Sequence, residues 1–165
     1  MQVNSVNNYQ NNNPNFTAFK FFDHKSARGF VKTVKQECNA DQLLRICHII
    51  ENQQKNTNNI VMKDFEFYGG LPCFGHFDAF VNGKCFNNGN IFNPRSWSIK
   101  RFLTKLAKEA EKKNPTPLDN DAKKALKLEQ KAELLNQKAE RVKGRSTEDQ
   151  QKAKLLHYIE NVLIG

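Results

Sequence analysis

Cys73 and His76 stand three residues apart in a turn-rich stretch, with Asp78 two positions further on and Cys85 beyond an Asn82-Gly83 pair. These residue types support two chemistries. A tetrahedral zinc site needs four soft or borderline ligands converging, commonly as two close pairs. Cys73 and His76 form one such pair, but the other candidates, Cys47 and His48, are sequence neighbours whose side chains diverge on a helix. No metal is therefore expected. The second chemistry is a thiol-dependent hydrolase, with Cys73 or Cys85 as nucleophile, His76 as base and Asp78 orienting the imidazole. His76 and Asp78 share a strand face by parity, yet no helix N-terminus is at hand to lower the thiol pKa. The glycines at 69, 70, 75 and 83 do not make a strand-to-helix phosphate fingerprint, and no carboxylate pair in an apolar pocket can be picked out. No catalytic residue and no cofactor is expected, and the hydrolase is the second alternative function.

Charge offers a different kind of site. The formal net of +9 is uneven: residues 95–165 hold 17 Lys/Arg and 10 Asp/Glu, net +7, whereas residues 1–94 hold 9 and 7, net +2. Lys124, Lys131, Lys138 and Arg145 repeat every seven residues, with Lys127 and Arg141 beside them. On a helix these cations form one basic stripe, suited to phosphates or another acidic partner. Nucleic-acid binding is thus the first alternative function. Glu129, Glu133 and Glu140 dilute the stripe, and no aromatic residue interleaves with it to stack on bases. Trp97, beside Arg95, Lys100 and Arg101, could anchor a partner or simply edge the core.

The elements that must position these residues follow from periodicity. Residues 1–15 carry seven asparagines and little to bury, so a disordered tail is expected. The Asn-rich opening running into Asn15, Phe16, Ala18 and Lys20 resembles the starts of short uncharacterised bacterial proteins with an Asn-rich N-terminus. That resemblance implies no activity, cofactor or site. Residues 16–22 read as a first strand. Ala27, Phe30, Val31 and Val34 then fall at helical spacing, and a second helix follows with Leu43, Ile46, Cys47 and Ile50 in a stripe that Leu44 and Ile49 widen. Asn39 or Asp41 can accept its first free amides. Residues 60–68 alternate as a strand, residues 69–76 read as a broad turn, and Asn82-Gly83 predicts a two-residue hairpin with Val81 facing Lys84.

Asn93-Pro94 predicts a helix to about residue 113 that buries Ile99, Phe102, Leu103, Leu106, Ala107 and Ala110. A long helix follows, begun at residues 116–119. Leu118, Ala125, Leu128, Ala132, Leu135, Ala139 and Val142 fall on alternating steps of three and four, a heptad seam interrupted only by Asp121. Gly144 ends it, Ser146 with Asp149 restarts a helix, and Ala153, Leu156, Ile159 and Leu163 continue an apolar face.

The expected fold class is α+β. An antiparallel sheet of about four strands carries two helices on one face, followed by a three-helix C-terminal segment that includes an αα-hairpin. The expected divisions are a tail at 1–15, a body at 16–93 and a basic helical segment at 94–165. The hairpin should project from the body and seek cover for its lean seam from the preceding helix or a second chain. The leading expectation is a non-enzymatic interaction or structural module acting through this basic hairpin, with a protein partner or self-association. The mean hydropathy is -0.73 and no run is long and apolar enough to span a bilayer. No signal segment is recognisable and the cysteines follow no disulfide framework, so no membrane contact and a cytoplasmic location are expected.

Overall fold

The structure, a computed structural model, describes residues 19–53, 60–66, 72–88, 98–113 and 118–163, without the side chains of 61–66 and 72–75. The order is β1 (Phe19–Phe21), α1 (His24–Glu37), α2 (Ala40–Gln53), β2 (Ile60–Glu66), β3 (Pro72–Val81), β4 (Lys84–Asn87), α3 (Ile99–Lys113), α4 (Asn120–Val142) and α5 (Glu148–Leu163). The expected fold class needs correction. Helix dominates the described chain, and its strands form a small mixed sheet in the order β1-β2-β3-β4. β1 lies parallel to β2, with Phe19 opposite Ile60. Side-chain parity is blind to strand direction, and the two helices between β1 and β2 supply the long crossover that parallel pairing requires.

The β3–β4 hairpin follows from local chemistry. Asn82 and Gly83 adopt φ +54 and +75, the primed turn that pairs Val81 with Lys84, Phe80 with Cys85 and Ala79 with Phe86. β3 begins at Pro72, so the segment read as a broad turn is largely strand. Its pairing with β2 shifts register between Asp64 and Glu66.

Helix starts are set by side chains that occupy free backbone amides. Asp23 accepts from the Ser26 amide at 2.7 Å and opens α1. At α2 it is Asn39 that caps: its Oδ1 accepts from the Gln42 amide, and Gln42 Oε1 accepts from the Asn39 amide, each at 2.9 Å. Ser98 precedes α3, which starts at Ile99, and the start expected at Asn93-Pro94 lies outside the described residues. Asp119 caps α4 itself, accepting from the Ala122 amide at 2.6 Å. Thr147 and Gln150 box the start of α5, one residue later than expected. Between the last two helices Gly144 takes φ +68, and the Arg145 amide reaches back to the Glu140 carbonyl at 3.0 Å, closing α4 with a left-handed cap.

One apolar core takes in β1, α1, α2, α3, the sheet and α5. Phe30 meets Phe77 edge-on with ring centroids 5.8 Å apart. α2 is central: Leu43, Leu44, Ile46, Cys47 and Ile50 are all buried, the pattern of a helix covered on several sides. α3 packs on it with Ile99, Phe102, Leu103, Leu106 and Ala110 buried. α3 also seats the hairpin turn, since Asn82 donates to the Glu109 carbonyl at 2.6 Å and Lys84 reaches the Glu109 carboxylate at 3.1 Å. Hydrogen bonds from Lys112 and Lys84 hold that carboxyl below its ordinary pKa. The expectation of a projecting hairpin is overturned at α5. Leu155, Leu156 and Ile159 are buried against α1 and α2, so the core runs across the boundary expected at residue 93.

Candidate functional site

α4 is the exception among the helices, because none of its residues is buried. It lies antiparallel to α2, shown by three contacts that run in opposite sequence order. Arg141 and Lys138 meet Asp41 at 2.6 and 3.2 Å, Glu133 meets His48 Nε2 at 2.8 Å, and Gln130 donates to Asn52 at 3.0 Å. Leu134 adds a half-buried apolar contact to the core. Gln151 of α5 completes the attachment by donating to the Gln137 carbonyl at 3.0 Å and accepting from Arg141.

Written as heptads with Ala125 at a, these inward residues occupy mainly the b, c and f positions, with Lys138 reaching in from a flanking g position. The a and d positions are turned away. Leu128, Leu135 and Val142 are 66 %, 56 % and 89 % exposed, Ala125 and Ala132 are exposed, and Ala139 is half-buried. α4 thus rests on the protein by its polar side and shows its apolar seam to solvent. A helix normally does the reverse. The polar attachments explain the inversion. Asp41 is only partly exposed, and burial favours its neutral form. The hydrogen bonds and charges of Arg141 and Lys138 outweigh that effect and hold the carboxyl below its ordinary value of 3.8.

The expected basic stripe divides. Lys138 and Arg141 turn to Asp41, Arg145 to Glu140 at 3.4 Å and Lys124 to Asp121 at 3.3 Å. Lys127 and Lys131 are exposed, with no charged partner among the described residues. Trp97 lies outside the described residues. His48, Asp41 and Glu133 stand out in the sequence only for other roles, as a metal candidate, a helix cap and an acid within the basic stripe, and Gln151 does not stand out at all. Nothing local marks them as the anchors of α4, because their partners are distant in the chain.

Cys85 and His76 do not converge. Cys85 lies opposite Phe80, four residues along β3 from His76, a distance of about 13 Å at the strand rise. Burial and then the Asp78 charge raise the Cys85 thiol pKa, the wrong direction for a nucleophile. The Cys73 side chain lies outside the described residues. Burial, with Glu37 next in weight, pushes Cys38 up to about 11, and Cys47 is pushed well above its ordinary value by burial and then by Glu51 and Glu133. Among the described residues no group of three or more His, Cys, Asp or Glu is placed to hold a metal ion, and no helix is long and apolar enough to cross a membrane.

No protein-family model, curated protein or solved structure matches the chain.

Proposed function

We propose that this protein is a non-enzymatic assembly module, acting in the cytoplasm, whose α4 receives an amphipathic helix. The observation that carries the reading is the seam of Leu128, Leu135 and Val142, exposed at intervals of seven on a helix anchored by its opposite face. Three large apolar side chains in a row with alanines between them match the narrow stripe of a coiled-coil seam, which leaves water when a second helix docks. Buried Cys38 and Cys47 and exposed Cys85, all free thiols, suit a reducing compartment.

The test is association measured by sedimentation velocity, for the protein alone and with synthetic heptad helices carrying neutral, acidic or basic flanks. Association in any of these arms that disappears in the Leu128→Gln/Leu135→Gln double variant, with circular dichroism unchanged, is the expected result. No association in any arm, or association indifferent to the double variant, refutes the reading.

A further inference from the structure

We infer that the occupant of the α4 seam is a leucine-bearing helix with acidic flanks on another polypeptide, not a second copy of this chain. This rests on the docking reading and adds the chemistry of the partner. The positions beside the seam decide it. The g positions are Lys124, Lys131, Lys138 and Arg145, and the e positions are Glu129, Asn136 and Lys143. All seven are exposed, and three of them, Lys124, Lys138 and Arg145, also lean toward Asp121, Asp41 and Glu140.

Two copies of α4 match poorly. In a parallel pair each g residue faces the e residue five positions on in the other chain. Lys124 would meet Glu129 favourably, Lys131 would meet a neutral Asn136, and Lys138 would meet Lys143 with like charge. In an antiparallel pair g faces g, so Lys124 meets Arg145 and Lys131 meets Lys138, with only Glu129 against Lys143 in relief. A helix carrying Glu or Asp at its own e and g positions faces every one of these cations in either direction, against one like-charge contact at Glu129.

The seam specifies the rest of the partner. Ala125, Ala132 and Ala139 let a second helix approach closely, and their small size asks for large apolar side chains opposite. From Ala125 to Val142 the seam is about 26 Å long, so about five turns of partner helix would cover it. An anionic lipid surface is a poorer match: the stripe is narrow, it carries no aromatic residue, and Glu129 sits on its edge.

Three peptides with an identical leucine seam and acidic, neutral or basic flanks test this by fluorescence anisotropy against the full chain, beside vesicles containing anionic lipid. The acidic peptide should bind about tenfold or more tighter than the basic one, with the neutral peptide between, because each flanking pair changes affinity by about twofold. Added salt should narrow the difference. Lys131→Glu/Lys143→Glu, which alters two exposed cations and no described ion pair, should weaken the acidic peptide and strengthen the basic one. Equal binding of all three peptides, or seam-dependent self-association, overturns the acidic-partner inference while leaving α4 a docking helix. Vesicle binding without peptide binding overturns both, as does the absence of any binding.

Discussion

Replacing Ile159 by Ala, and separately Leu128 by Ala, asks which side of the two C-terminal helices the core uses. Ile159 has no exposed surface. Its truncation removes apolar groups already withdrawn from water and leaves a cavity between α5 and α2, at a cost of about 2–5 kcal/mol. Leu128 is 66 % exposed. Only a third of its side chain is out of water, so losing about three carbons at ~0.8 kcal/mol each when fully buried scales to roughly 0.8 kcal/mol. The slightly better helix propensity of Ala offsets part of that. At Val142, 89 % exposed, the propensity gain on removing a β-branched residue exceeds the small burial loss. Val142→Ala should therefore be neutral or more stable by up to about 0.5 kcal/mol. Urea unfolding reads all three as shifts in midpoint at constant slope. A loss above about 2 kcal/mol at Leu128, or below about 1 kcal/mol at Ile159, would refute the assignment of inner and outer faces.

Asp41→Asn should lower stability at neutral pH and flatten its dependence on acid. The folded carboxyl titrates below 3.8, so its stabilising contribution is present above that value and is lost as pH falls through the folded pKa. Midpoints at about pH 7 and about pH 3 should differ less in the variant than in the parent. Alkylation mapped by mass spectrometry should modify Cys85 in the native state and reach Cys38 and Cys47 only on unfolding, given their burial and raised pKa values. Gly144→Ala should cost about 1 kcal/mol in urea unfolding, because φ +68 strains any L side chain even though the space around it is open.

Local signals in the sequence carried well over short distances. Asn82-Gly83 set a hairpin register that the backbone follows pair by pair, and the wide stripe around Leu43 marks the helix at the centre of the core. The seam of α4 was also legible as a pattern of Ala and Leu, but its direction in space was not. That direction is set by Asp41, His48 and Asn52, which lie 78 to 100 residues from their partners Arg141, Glu133 and Gln130. Periodicity says which residues share a face, and only long-range partners say what the face meets. The same limit hid the parallel β1–β2 pair and the return of α5 into the core. Leu155, missed as a core residue, is buried because α5 turns a broader face inward than the stripe through Leu156 and Ile159 suggested.

Hydroxyl-radical footprinting of the dilute full chain, resolved residue by residue, bears most directly on α4. Leu128 and Leu135 should oxidise at rates close to those of an unfolded peptide, while Leu155 and Ile159 are protected and Leu134 lies between. Protection of Leu128 and Leu135 equal to that of Ile159 in the monomer would mean that the seam is already covered by its own chain, and the docking helix would be an ordinary part of the core.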